Sequence, residues 1–134
     1  MKYILDTDTF SFLVRKVPSV VDRALEVGFE NLFLSTISEL EVRTGLAIRN
    51  DAKLFLSVSE VLRQLGILDF DSKAASEAAK VRVFLRALGK PNGTLDPLLA
   101  GHALALGAVL VTNNTRHFEN VPGLVLDNWV TPVD

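Results

Sequence analysis

The stretch Tyr3-Ile4-Leu5-Asp6-Thr7-Asp8-Thr9 decides the fold. Its first three residues are apolar without alternation, so a strand built from them needs cover on both faces. Asp6 and Asp8 then stop the strand and bring side-chain oxygens that accept from the free N–H groups of a helix start. Strand, acid and helix in immediate succession is the opening unit of a parallel α/β sheet.

The same grammar repeats downstream. Residues 32–35 form a second apolar run stopped by Thr36 and Ser38, Ile67-Leu68 a third, and residues 124–126 a fifth. The fourth, Val109-Leu110-Val111, is closed by Thr112-Asn113-Asn114. Helical patterns lie between them. Over 53–65 the apolar residues at 54, 58, 61 and 65 line one helical face. Asp71 is a good N-cap for the next helix, whose Ala74, Ala78, Val81, Leu85 and Leu88 share a stripe. Gly89 ends that helix, and Lys90-Pro91-Asn92-Gly93 reads as a turn. A small-residue helix over 95–106 is closed by Gly107. The pattern predicts a three-layer α/β/α domain with a short, mostly parallel central sheet. The 134 residues contain no Pro/Gly/Ser-rich linker, repeat or low-complexity tract, which predicts a single domain over 1–134.

Composition narrows the chemistry. With 49% hydrophobic residues the chain is rich enough in apolar side chains for a substantial core, and a mean hydropathy of +0.29 argues against disorder. There is no cysteine, which excludes disulfides and thiolate metal sites, and the two histidines, His102 and His117, are too few for a histidine cage. A bound metal must be held mainly by oxygen. Tyr3-Ile4-Leu5 is far shorter than the ~7–15-residue apolar core of a signal peptide. No run approaches the ~18 apolar residues of a membrane span. The expectation is a cytoplasmic protein with no membrane partner. Fourteen Lys plus Arg against sixteen Asp plus Glu give a net charge of −2, not the basic balance of a typical nucleic-acid binder. An acidic cluster that needs cations can nonetheless hide a basic rim from that sum.

In an open parallel sheet, sites form at the carboxyl ends of the strands. Asp6 and Asp8 follow the first strand, Glu39 and Glu41 the second, Asn113 and Asn114 the fourth, and Asp96 starts the helix before it. A doubly wound sheet points these toward one edge, where the carboxylates repel one another unless a cation enters. Carboxylates, carbonyls and water are the ligand set of Mg²⁺ or Mn²⁺, and such an ion seeks phosphate oxygens, which suggests metal-assisted phosphodiester hydrolysis. Each residue also has a plainer use. Asp6 fits an Asx turn, Asp8 an N-cap for the helix through Phe10, Asp96-Pro97 an N-cap with proline behind it, and Asn114 a turn. Thr36-x-x-Glu39 and Ser38-x-x-Glu41 are both capping-box patterns. The helical wheel separates the two glutamates. Glu39 stands four before Arg43, in ion-pair order, whereas Glu41 shares a stripe with Ile37 and Ile48 and is expected to face inward. Glu41 is therefore the preferred functional acid.

Four segments together resemble the successive motifs of PIN-domain ribonucleases, and within them the VapC toxins of bacterial type II toxin-antitoxin pairs. They are the opening stretch at 3–9, Ser35-Thr36-Ile37-Ser38-Glu39-Leu40-Glu41, Leu95-Asp96-Pro97-Leu98-Leu99-Ala100-Gly101-His102-Ala103, and residues 110–118. Val121-Pro122-Gly123-Leu124 and Asn128-Trp129 match the ending of that group. The resemblance implies an Mg²⁺- or Mn²⁺-dependent endoribonuclease whose metal-binding acids are Asp6, Glu41 and Asp96, cutting RNA to leave a 5′-phosphate. It further implies a homodimer neutralised by a VapB-like antitoxin. The fourth acidic position of many PIN domains corresponds to the neutral Asn114.

Within that picture Asp8, Thr112 and Asn114 orient waters or the metal-binding carboxylates. Arg82 and Arg86, four apart on one helix, with Lys90 beyond them and Arg43 and Arg116 nearer the expected edge, are the candidate RNA-binding rim. His102 lies about 240° around its helix from Asp96 and reads as structural. Phe118 and Trp129 read as core or lid packing.

Three rival functions meet the same residues. Asp6-Thr7-Asp8 resembles the start of haloacid-dehalogenase-type phosphatases, but Phe10 stands where Thr or Val is wanted and no Gly-Asp-x-x-x-Asp follows. A phospho-receiver domain needs a lysine after its last strand, and Lys90 is the final lysine. The remaining alternative is a catalytically silent PIN scaffold that binds RNA or a protein partner.

Overall fold

In the computed structural model the described residues are 1–90 and 94–130. Five strands, β1 (Tyr3–Leu5), β2 (Leu32–Ser35), β3 (Gly66–Leu68), β4 (Val109–Val111) and β5 (Val125–Asp127), lie in the order β3-β2-β1-β4-β5. Every pairing is parallel, so the sheet is wholly rather than mostly so. Leu5 sits opposite Leu34 on one side and Val111 on the other. The chain first builds outward from β1 through β2 to β3, then returns to place β4 and β5 on the opposite side. That reversal opens a crevice at the carboxyl ends of β1 and β4.

The helices are α1 (Thr7–Val14), α2 (Pro18–Val27), α3 (Thr36–Arg49), α4 (Ala52–Leu62), α5 (Ser72–Ala87) and α6 (Asp96–Leu106). Strand side chains alternate between the two faces. Ile4 and Leu110 pack with Val81 and Leu85 of α5, Leu99 of α6 and Phe118. Leu5, Leu34 and Val111 pack with Phe10 and Leu13 of α1, Val58 of α4 and Trp129. Burial of each such large side chain is worth roughly 1.5–3 kcal/mol, so both faces of the sheet contribute to stability.

Several sequence expectations shift by a residue or a turn. The cap of α1 is Asp6 rather than Asp8, and the cap of α3 is Ser35 rather than Thr36 or Ser38. Helix α2 was not foreseen, because only Val20 and Ala24 within it are buried and the apolar stripe is thin. Strand β5 runs one residue later than expected. Leu88, placed on the buried stripe, is 51% exposed because α5 ends before it. Of the turn expected at 90–93, residues 91–93 lie outside the described residues.

Helices α5 and α6 meet almost backbone to backbone. A Cβ at Gly101 would lie 2.3 Å from the Ala78 nitrogen, so only glycine fits there. Gly107 closes α6 with φ +63°, as its position predicts.

Candidate active site

Asp6 is the fixed point of the crevice. Its N–H donates to the Val111 carbonyl at 3.0 Å, tying it to the end of β4. Its carboxylate is 7% exposed, accepts from the Thr9 N–H at 2.8 Å and also bonds the Thr9 and Thr112 side chains. Burial pushes the carboxyl above the usual range, the bonds from Thr9 and Thr112 pull it back, and neighbouring Asp8 pushes it up again. A negative charge is thus held in a largely dry place, a condition that a cation relieves.

Glu41 reaches the same place from α3. The Thr7 hydroxyl donates to its Oε1, so the first turn of α1 holds a side chain of a different helix. Glu39 turns elsewhere: Arg43 donates to its Oε2 through Nε at 2.9 Å and Nη2 at 2.7 Å. The separation of the two glutamates is as expected, but the inward stripe is not. Glu41 is exposed at the cleft mouth and Ile48 is 78% exposed, because the buried side of α3 runs through Val42 and Leu46.

Asp96 does not cap α6; Leu95 does, and Asp96 starts the helix with Pro97 behind it, where a missing N–H costs nothing. Its carboxylate is therefore free of capping and turned to the β4–β5 connection. Asn114 Nδ2 donates to Oδ2 at 3.3 Å, and His117 Nδ1 lies 3.5 Å from the same oxygen. Thr112 joins the two halves of the site, bonding Asp6 and accepting the Asn114 N–H at 3.0 Å. Asn113 turns away and accepts from Asn128 Nδ2 at 3.2 Å.

Asp6, Asp8, Glu41 and Asp96 line one cleft of about 180 Å³, together with Thr7, Thr94 and two leucines, and no lysine or arginine lines it. Among the described residues no three acids or histidines close into a ready-made metal cage. The cleft gathers Asp6, Glu41 and Asp96, as expected, without bringing them to joint direct coordination. An all-oxygen donor set with room for water fits a hydrated Mg²⁺ or Mn²⁺ ion, which keeps several waters and needs only one or two carboxylates.

The expected cationic rim is not at this cleft. Arg82 and Arg86 are exposed on α5, Lys90 Nζ donates to the Arg116 carbonyl at 2.9 Å, Arg43 is engaged by Glu39, and none of the five lines the cleft. Arg15 and Arg49 line an adjoining groove. Sequence reasoning missed them, as it missed the Thr7 bond to Glu41, because neither follows from spacing within one element. His117, three residues after Asn114 in the sequence, is the histidine that the fold brings beside Asp96. His102 is structural, buried with Nδ1 2.9 Å from Ser35 Oγ and its ring edge-on to Phe70. Phe118 and Trp129 are buried core residues.

Comparison with known proteins places the whole chain. The PIN domain family model matches residues 3–124. The chain is 32% identical to the tRNA(fMet)-specific endonuclease VapC of Salmonella typhimurium, over 96% of its own length and 98% of that protein. It is 33% identical to Ribonuclease VapC2 of Rickettsia felis, with the same coverage of both chains. Among solved structures, VapBC2 from Rickettsia felis bound to a promoter DNA fragment superposes with a TM-score of 0.84 at 30% identity, covering 97% of this chain and 100% of that one. DNA-bound VapBC from Salmonella typhimurium gives 0.85, also at 30% identity, covering 97% and 99%. The strand order, the acids at the strand ends and these full-length likenesses agree: the chain belongs to the PIN-domain family, in its VapC group.

Proposed function

We propose that this chain is a divalent-metal-dependent endoribonuclease, the toxin of a toxin-antitoxin pair, acting as one nuclease domain. The observation that carries the reading is the cleft in which Asp6, Asp8, Glu41 and Asp96 converge with no cation among them. Asp6, Glu41 and Asp96 would hold the ion. When bound, Mg²⁺ or Mn²⁺ neutralises the carboxylates, polarises the phosphodiester and makes water nucleophilic at neutral pH.

The chain's own groups do the rest. Asp6 is fixed by Thr9 and Thr112, so its orientation is set before substrate arrives. Glu41 is steered by Thr7, and Asp96 by Asn114. Such supporting hydrogen bonds typically matter 10–100-fold. Asp8, exposed beside Asp6, is placed to orient a water. Water attacks phosphorus, the bond to the 3′ oxygen breaks, and the products are a 5′-phosphate and a 3′-hydroxyl.

The Salmonella relative is named for tRNA(fMet), which makes initiator tRNA the first substrate to try. The Salmonella and Rickettsia structures are VapBC complexes, which supports a VapB-like antitoxin as partner. A homodimer and a cytoplasmic location complete the reading. Among the described residues no helix is long and apolar enough to cross a membrane.

The test is cleavage of mixed tRNA and rRNA by antitoxin-free protein with Mn²⁺ or Mg²⁺, then with chelator, beside an Asp6→Asn control. Discrete metal-dependent products absent from the control establish the nuclease. No cleavage under any metal, from folded protein, transfers the reading to a silent scaffold.

A further inference from the structure

Two of the cleft's acids ride on different helices, Glu41 on α3 and Asp96 on α6, so their spacing is only as fixed as the seating of one helix against the other. Ile37 of α3 packs against the core cluster to which Leu99, Ala100 and Ala103 of α6 belong. Apolar contact of that kind has no direction and lets small residues slide. A hydrogen bond fixes position.

Such a bond is made by a residue that does not line the cleft. His102 of α6 is 2% exposed, and its Nδ1 lies 2.9 Å from Oγ of the fully buried Ser35. Ser35 ends β2 and caps α3, its Oγ accepting the Ile37 N–H at 3.1 Å. Burial lowers the pKa of His102, against the pull of Asp71 and Asp69, so at neutral pH the ring carries one proton. The ring also bonds the Asp69 backbone, whose carbonyl takes that proton and leaves Nδ1 as the acceptor for the Ser35 hydroxyl. Ser35 therefore accepts from α3 and donates to α6.

The segment after β3 closes the arrangement. The Phe70 N–H donates to Thr36 Oγ1 at 3.1 Å, and the Phe70 ring meets His102 edge-on at 5.6 Å. The end of β2, the first turn of α3, the β3–α5 connection and the middle of α6 are thus joined in a dry place, where a hydrogen bond is costly to leave unmade. Glu41 stands six residues beyond Ser35, and Asp96 six before His102. A helix is stiff over that length, so what fixes Ser35 against His102 also fixes the two acids.

Resting on the metal-dependent reading above, we infer that His102 is a positioning residue: through Ser35 it holds α6 against the start of α3 and so keeps Asp96 and Glu41 at the spacing a divalent ion needs. It does this from outside the cleft, by way of the helices alone.

The experiment reads metal binding rather than cleavage, as uptake of Mn²⁺ by the full, antitoxin-free chain, followed by electron paramagnetic resonance of the free ion. His102→Gln keeps a donor for the Asp69 carbonyl but loses the acceptor for Ser35, and Ser35→Ala removes the other partner. Each is expected to weaken Mn²⁺ binding about tenfold. The double variant should be no weaker than either single one, because both remove the same bond. His102→Asn is the rescue: its Oδ1 stands where Nδ1 does, so Ser35 keeps its partner and the affinity stays close to that of the wild type. Val20→Ala opens the core on the opposite face of the sheet, and should lower the melting temperature while leaving the affinity unchanged, which separates spacing from stability. Circular-dichroism melts establish that each variant is folded at the temperature of titration. If the wild type takes up Mn²⁺ and His102→Gln and Ser35→Ala take it up equally well, or if their effects multiply in the double variant, the brace is overturned while the nuclease reading stands. His102→Asn as weak as His102→Gln overturns it too. If the wild type takes up none, the metal reading falls and the brace falls with it.

Discussion

The Thr7 hydroxyl donates to Oε1 of Glu41, thirty-four residues further along the chain, and so couples the start of α1 to a side chain of α3. The bond lies at the surface and adds little to stability, but it fixes where an otherwise mobile glutamate points. Thr7→Val is expected to lower kcat roughly tenfold. The melting temperature should stay within a degree or two, since one exposed hydrogen bond is worth about 1 kcal/mol or less. Steady-state kinetics beside a thermal melt check both; a variant that loses stability and activity in proportion overturns the positioning role.

Asp6 carries a charge in a site that resists it. Its carboxyl lies above the ordinary range through burial, so its ionised form costs stability as pH rises through and beyond that range. Asp6→Asn keeps an acceptor for the Thr9 N–H and removes the charge. It is expected to abolish cleavage and to raise the melting temperature of metal-free protein by about 2–5 °C. Mn²⁺ should raise the wild-type melting temperature and leave that of the variant nearly unchanged, a difference read by differential scanning fluorimetry with and without chelator.

Two glutamates two residues apart are predicted to behave oppositely. Glu39→Gln breaks only the exposed pair with Arg43, worth about 0.5 kcal/mol, and should leave activity within about twofold. Glu41→Gln keeps the shape of the side chain but loses its charge, and should cost about 100-fold or more in kcat. Equal effects would mean that the bond from Thr7 does not mark the working acid.

His102 is buried with its pKa pushed below 6.5 by desolvation, against the opposing pull of Asp71 and the Asp69 backbone and side chain. The unfolded chain binds a proton more readily than the folded one between the lowered value and 6.5. Stability is therefore complete above about pH 6.5 and falls as pH drops through that window. Urea unfolding at about pH 7.5 and about pH 5 should show the loss, and His102→Gln should shrink the difference between the two. An unchanged difference would place the acid sensitivity elsewhere.

Gly101→Ala tests the seam between α5 and α6. Alanine is the better helix former by about 1 kcal/mol, yet its methyl would meet the Ala78 backbone at 2.3 Å. A net destabilisation of about 2–3 kcal/mol is expected from denaturant curves. A neutral result would show that the helices slide apart at little cost.

What the sequence disclosed follows from which forces are local. Strands β1, β2 and β4 are legible because each is an unbroken apolar run closed by a capping or turn residue. The stripes of α4 and α5 are legible because burial of Val58, Val81 and Leu85 imposes helical spacing. The convergence of Asp6, Glu41 and Asp96 follows from strand order alone. The hidden features all depend on pairs from different elements. That Asp6 rather than Asp8 caps α1 depends on the exit direction of β1, and the Thr112 bond to Asp6 on the β1–β4 register. The exposure of Ile48 required knowing which side of α3 meets the sheet. Arg15 and Arg49 line one groove between α1, α3 and α4 that no single helix reveals.

Strand β1 precedes both of its neighbours, β2 and β4, in the chain. Strand β2 can join it once residues 32–35 have emerged, but β4 at Val109–Val111, and with it Thr112 and Asn114, emerges only after β3 and α6. Until β4 emerges, the nascent chain holds Asp6 and Glu41 beside an open sheet edge, with no assembled cleft. On the proposed function, a message cut short anywhere before β4 yields a harmless fragment. The groove walls that α1, α3 and α4 supply are therefore complete in the chain before the acid cleft is.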